Sequence, residues 1–177
     1  MMFNDVYYSI YKYTNSSKQK SVSEDCKIRV LFVCLGNICR SPMAQFVFQD
    51  LLSEQGLEDN FEVDSAGIEG YNEACHAGIH SGTKEILTKN AIPFSEHYSR
   101  QFSKKDYDYY DYIIAMDSEN LADIKNIVGE DGFDRIKRLL DYTENPRDIK
   151  DPWYTGNFKE TYDDIVEGCS AFLEKII

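Results

Sequence analysis

Apolar positions recur along this chain with two periods. One is the unbroken or alternating run of a strand, the other the three-to-four spacing of a helix. Residues 27–33 are mostly β-branched or apolar, continuously so from Val30, with no turn residue inside, which predicts a buried strand. Further strands are predicted at 61–65, 112–116 and 136–140. Helical spacing is predicted over 42–55, where Met43, Phe46, Val47, Phe48, Leu51 and Leu52 share a face and Gly56 ends the run. It returns at 81–90, with Ile86 and Leu87 inward, and at 119–128 behind Asp117 and Ser118 as caps. The longest helix is predicted at 158–177, with Phe158, Tyr162, Ile165, Val166, Cys169, Phe172, Leu173 and Ile176 on one side. Ser103 to Asp106 reads as a cap that opens a short helix through Tyr110. The tyrosine-rich run 106–112 is read as an amphipathic helix leading into a strand.

Strands alternating with helices, joined by right-handed crossovers, predict a single α/β domain. Its sheet has four parallel strands with helices on both faces. Residues 26–177 are assigned to that domain. Residues 1–25 hold Tyr7, Tyr8, Tyr11 and Tyr13 before a Ser- and Lys-rich stretch. No period persists there beyond a candidate short helix at 6–13, so they are read as a loosely ordered extension.

The net charge of −12 argues against nucleic-acid binding and against an anionic membrane surface. No apolar run approaches membrane-spanning length, and the first residues do not read as a signal peptide. The five cysteines are odd in number and irregularly spaced, which suits a reducing, cytoplasmic setting. Cys26, Cys75 and Cys169 are read as unpaired thiols, the last of them in the core. His76 and His80 lie four apart, a spacing that could bind metal on a helix, but no fourth ligand accompanies them. Neither metal nor cofactor is expected.

The chemistry concentrates after the first strand, in Cys34-Leu35-Gly36-Asn37-Ile38-Cys39-Arg40-Ser41-Pro42. Gly36 and Asn37 both tolerate positive φ, as a loop folding back on itself requires. Pro42 suits a first helical turn, with Ser41 as its candidate cap. Backbone N–H groups in such a loop form an anion nest, and the helix behind adds positive potential. A thiol at Cys34 would face those dipoles and the Arg40 guanidinium, and both favour the thiolate. The planar fork of Arg40 can grip two phosphate oxygens at once. Nucleophile and clamp thus converge where open α/β sheets bind ligands, at the carboxyl end of the first strand.

This loop resembles the phosphate-binding loop of the low-molecular-weight protein tyrosine phosphatases. Asp151-Pro152-Trp153-Tyr154-Thr155-Gly156 resembles that family's general-acid loop. The resemblance implies hydrolysis of protein phosphotyrosine through a phosphocysteine, without metal or cofactor. Cys34 would be the nucleophile, Arg40 the transition-state stabiliser and Asp151 the general acid and base. Leu35, Gly36, Asn37, Ile38 and Cys39 would cradle the phosphate, while Tyr71, Trp153 and Tyr154 would flank the aromatic ring. Ser65 would bond Asn37 and hold the loop open, with Ser41 beside it, and His97 would join a structural hydrogen-bond network. Implied partners are tyrosine-phosphorylated proteins, with inorganic phosphate as product and inhibitor.

The family more often carries Tyr where this chain has Trp153. Similar arginine-phosphate phosphatases tend to carry Thr where this chain has Ile38, and the apolar side chain favours a flat aromatic ester. In the family, the cysteine at the position of Cys39 can bond the oxidised nucleophile, which implies a reversible redox switch here. A thiol-dependent arsenate reductase shares the fold and loop but needs two further cysteines, and residues 117–151 contain none. A silent phosphoprotein-binding module would keep Arg40 but could dispense with Asp151.

Overall fold

The computed structural model describes residues 27–129 and 135–177. The readings placed on residues 1–25, and on Cys26, lie outside them. Four parallel strands form one sheet in the order β2-β1-β3-β4. They are β1 (Ile28–Cys34), β2 (Phe61–Gly67), β3 (Tyr112–Ala115) and β4 (Ile136–Arg138). Strand β1 is central, paired along its whole length with β2 and from Val30 to Val33 with β3. Phe32 lies beside Ser65 of β2 and Ile114 of β3.

Alternation along β1 divides the core. Val30, Phe32 and Cys34 face one side, where they meet α1 (Arg40–Glu54), α3 (Ser81–Lys89) and α7 (Phe158–Ile176). Leu31 and Val33 face the other, against α4 (Lys104–Tyr109) and α5 (Ser118–Val128). Cys34 therefore ends its strand on the α1 side, with its carbonyl at the loop. Cys169 lies wholly inside the core, and burial raises its thiol pKa above the usual value. Among the described residues, no helix is long and apolar enough to cross a membrane.

Two boundaries differ from expectation for identifiable reasons. Strand β4 stops at Arg138 because Leu139 and Leu140 are both fully buried in the same core. Consecutive strand residues point to opposite faces, so the chain tightens into a 3-10 turn (Leu139–Tyr142) to bury both. Helix α1 starts at Arg40 rather than at residue 42. Pro42 is then its third residue, where its missing N–H would have had no intrahelical acceptor. Cys39, not Ser41, occupies the cap position, and its side chain does not cap the helix.

Candidate active site

The loop after β1 is built so that its carbonyls point away from its centre. The Cys34 and Leu35 carbonyls accept from the backbone N–H groups of Ile68 and Glu69. That of Gly36 accepts from Asn72 Nδ2 at 2.9 Å and Ser99 Oγ at 3.1 Å. Those of Ile38 and Cys39 accept from the N–H groups of His80 and Met43. The Asn37 carbonyl lies 3.2 Å from His97 Nε2. With every carbonyl from 34 to 39 bonded outward, the peptide dipoles turn their N–H ends inward. Among the described residues, one N–H of positions 35–39 has a protein acceptor. It is that of Asn37, which donates to Cys34 Sγ at 3.3 Å.

Asn37 is the internal strut. Its φ of 53° is left-handed, a conformation asparagine tolerates better than most residues. Its Nδ2 donates to Ser65 Oγ and to Ser41 Oγ, each at 2.9 Å, and its Oδ1 accepts from the Arg100 N–H at 3.0 Å. Ser65 Oγ donates onward to Gln45 Oε1 at 2.7 Å. The bonds among Asn37, Ser41, Ser65 and Gln45 are buried, so each is stronger than at the surface. Gly36, by contrast, keeps negative φ. Its missing side chain leaves room for Asn72, whose Nδ2 would lie 2.5 Å from a Cβ there and would have to shift.

Freed from capping, Ser41 stands 3.1 Å from Cys34 Sγ and donates to the Ala66 carbonyl at 3.2 Å. The sulfur, 3% exposed at its residue, thus has an amide and a hydroxyl as neighbours. Cys39 is buried nearby as a free thiol. Burial, aided by negative charge at Cys34 and Asp151, pushes its pKa up to about 12, so it stays protonated.

Arg40 is the electrostatic centre. Its Nη1 donates to Asp117 Oδ2 at 2.5 Å and to the Ile149 carbonyl at 3.1 Å. Its Nη2 donates to Asp151 Oδ2 at 2.6 Å. Burial opposes its charge, but negative charge at Cys34, Asp151 and Asp117 outweighs that and raises its pKa further. A guanidinium has five N–H donors, and these contacts engage three. The buried Nε has no acceptor among the described residues, and one Nη2 hydrogen is likewise unassigned. A tetrahedral oxyanion could take both.

Asp151 reaches the site from the segment before α6 (Pro152–Thr155). Its Oδ1 accepts from the Trp153 N–H at 2.9 Å and caps that helix. Cys34, Leu35, Gly36, Ile38, Cys39, Arg40, Tyr71, Asp151, Trp153 and Tyr154 line one cavity of about 240 Å³. Asn37 and Ser41 are fully buried beneath the loop rather than on that wall, as is Ser65. Tyr71, Trp153 and Tyr154 form an exposed aromatic rim. Tyr71 opens a short helix, α2 (Tyr71–Ala74), instead of lying in an irregular loop.

Three residues of the site carry no local sequence signal for its chemistry. Glu69 and Asn72 line the cavity. The sequence marks Asp117 only as a helix cap; it does accept from the Asn120 N–H, but its second oxygen holds Arg40. Its place after a third parallel strand, at the same sheet edge as Cys34, was the available signal. His76 and His80 do not share a helical face. His76 has φ 49°, while His80 precedes α3 and caps it.

A model of the low molecular weight phosphotyrosine protein phosphatase family matches residues 29–177. The chain is similar to the low molecular weight protein-tyrosine-phosphatase YfkJ of Bacillus subtilis. They are 49% identical over 153 residues, covering 84% of this chain and 96% of that protein. The crystal structure of YfkJ superposes with a TM-score of 0.80, covering 85% of this chain and 94% of the other. The human low molecular weight phosphotyrosine protein phosphatase is 38% identical, over 87% of this chain and 99% of its own. A Drosophila arginine phosphatase structure is 30% identical, with a TM-score of 0.74 over 83% of this chain and 95% of that one.

Proposed function

This chain belongs to the low molecular weight phosphotyrosine protein phosphatase family, and on that footing we propose that it hydrolyses protein phosphotyrosine through a phosphocysteine. The observation that carries the reading is one small cavity. Cys34 and Arg40 from one loop, and Asp151 from more than a hundred residues further along the chain, line it together beneath an aromatic rim.

The phosphate enters the loop with its oxygens on the inward N–H groups and on Arg40 Nε and Nη2. Asp151, on the other Nη2 hydrogen, stands beside the bound phosphate and turns to face the ester oxygen. Cys34 thiolate attacks phosphorus, the bond from phosphorus to the aryl oxygen breaks, and protonated Asp151 gives its proton to that oxygen. Phenol leaves and phosphocysteine remains. Asp151, now a carboxylate, takes a proton from water as the water oxygen attacks phosphorus. The phosphorus–sulfur bond breaks, which returns thiolate Cys34, protonated Asp151 and inorganic phosphate. Arg40 and the loop amides hold the equatorial oxygens in both steps.

The substrate class follows from the rim. Tyr71, Trp153 and Tyr154 offer ring faces, and Ile38 adds an apolar wall. Phosphotyrosine peptides should be preferred over phosphoserine, whose short side chain would not reach from loop to rim, and over phosphoarginine.

The test is hydrolysis of aryl phosphate and of phosphotyrosine, phosphoserine and phosphoarginine peptides. Cys34→Ser should lose nearly all turnover, and Asp151→Ala roughly 10²–10⁴-fold. Acid quenching should trap phosphorus on the wild-type protein and none on Cys34→Ser. Unchanged turnover in Cys34→Ser would end the phosphatase reading.

A further inference from the structure

Resting on that reading, we infer that His80 is a positioning residue for the general acid. Its imidazole locks the segment that carries Asp151 to the phosphate loop. No step of the mechanism above uses His80, yet it touches both the phosphate loop and the segment that carries the acid.

Its backbone N–H donates to the Ile38 carbonyl of the phosphate loop at 2.9 Å. Its Nδ1 accepts from the Gly82 N–H at 3.1 Å, fixing the ring's direction at the start of α3. The ring then meets two aromatic side chains. Phe158, the first residue of α7, stacks on it with centroids 5.1 Å apart and planes 8° from parallel. Trp153 meets it edge to face at 5.7 Å and 76°. These two residues bracket the turn between Asp151 and the last helix. Trp153 is also bonded to the acid, through its N–H on Asp151 Oδ1. One ring therefore grips both ends of the acid segment while its own backbone holds the loop that binds phosphorus.

Gly82 makes this possible. A Cβ there would lie 2.6 Å from the Phe158 ring, so only glycine lets that ring come down beside His80. The clamp matters because proton transfer depends steeply on the distance between acid and leaving oxygen. A slack acid segment would leave phosphate binding intact and weaken leaving-group protonation alone.

The effect should therefore scale with leaving-group basicity, which a merely structural residue would not do. The measurement is kcat/KM across aryl phosphates, from dinitrophenyl to unsubstituted phenyl. His80→Ala should lose about tenfold on phenyl phosphate and less than about twofold on dinitrophenyl phosphate. In an Asp151→Ala background it should cost no more than about twofold on any of them. His80→Phe keeps the ring and loses the cap, and should return the wild-type slope. His80→Asn keeps a capping oxygen and loses the ring, and should stay steep. Equal loss across the series, full loss in the Asp151→Ala background, or rescue by Asn but not Phe would overturn the proposal. Wild-type protein inactive on every aryl phosphate would instead sink the phosphatase reading beneath it.

Discussion

Asp117 Oδ2 lies 2.5 Å from Arg40 Nη1, and both side chains are largely withdrawn from water, at 16% and 3% exposure. The pair holds the guanidinium from behind, so its Nε edge stays turned away from Asp117. Two carboxylates share this arginine, but their parts differ. Asp117 sits at a strand end and caps α5, so it is anchored. Asp151 stands just before the four-residue helix α6 and bonds Nη2 at 2.6 Å.

Asp117→Ala should accordingly damage phosphate binding and fold together. Losing a helix cap and one partner of a buried ion pair should cost about 2–4 kcal/mol of stability. Asp117→Asn keeps the cap and should recover much of that, but with kcat/KM still reduced by about tenfold or more. Chemical denaturation and steady-state kinetics on both variants check this. Equal kinetics for Asp117→Asn and wild type would remove Asp117 from the site's machinery.

Inorganic phosphate should bind the same cradle as product and compete with substrate. At a concentration about a hundred times its Kd it should stabilise the fold by about 2.7 kcal/mol. The rise in Tm should shrink sharply in Arg40→Lys, which keeps the charge and loses the planar fork. A phosphate-induced shift as large in Arg40→Lys as in wild type would contradict the donor count at Nε and Nη2.

Ser65→Ala tests the strut under the loop. It would leave Asn37 Nδ2 with one fewer acceptor and Gln45 Oε1 without its donor, in a buried setting. A loss of about 1–3 kcal/mol is expected, with weaker phosphate inhibition because the loop amides lose their alignment. Thermal unfolding and phosphate inhibition constants measure the two parts separately.

His97 should give stability a pH dependence. Burial lowers its pKa below 6.5, and the nearby Arg100 adds to that, against the opposing pull of its bond to Asn37 and of Asp64. The unfolded chain therefore binds a proton more readily than the folded one. The stability due to neutral His97 is complete above about pH 6.5 and is lost as pH falls from there through the folded value. Denaturation at pH 7.5 and 5.5 should show a smaller difference for His97→Gln than for wild type. The same difference in both would assign the slope to other groups.

Cys39 bears on recovery from oxidation. Peroxide would oxidise Cys34 to the sulfenic acid, which Cys39 could condense with to give a disulfide and water. Thiol should then restore wild-type activity after peroxide, and should fail to restore Cys39→Ser. Equal recovery of both proteins would discard the switch.

Much of this molecule could be read along the chain because the deciding interactions are local. Strand β1, the loop and α1 follow one another, so Cys34 and Arg40 come together through one turn of backbone. The apolar stripe of α7 is likewise periodic. The parallel four-stranded sheet follows from the alternation of such elements. What could not be read depends on which distant segments the sheet sets side by side. Arg40 meets Asp117 across 77 residues of sequence and Asp151 across 111, and neither separation leaves a mark on local pattern. Ser41 looks like a helix cap until Cys34 and Ala66 claim its hydroxyl. Gly36 looks like a left-handed residue until Asn72 fills the space a side chain would need. His80 looks like half of a metal pair until Phe158 and Trp153 close on its ring. Short-range periodicity determines elements, whereas side-chain roles are set by packing. Packing exists only once the strands have taken the order β2-β1-β3-β4 and brought their carboxyl ends to one edge.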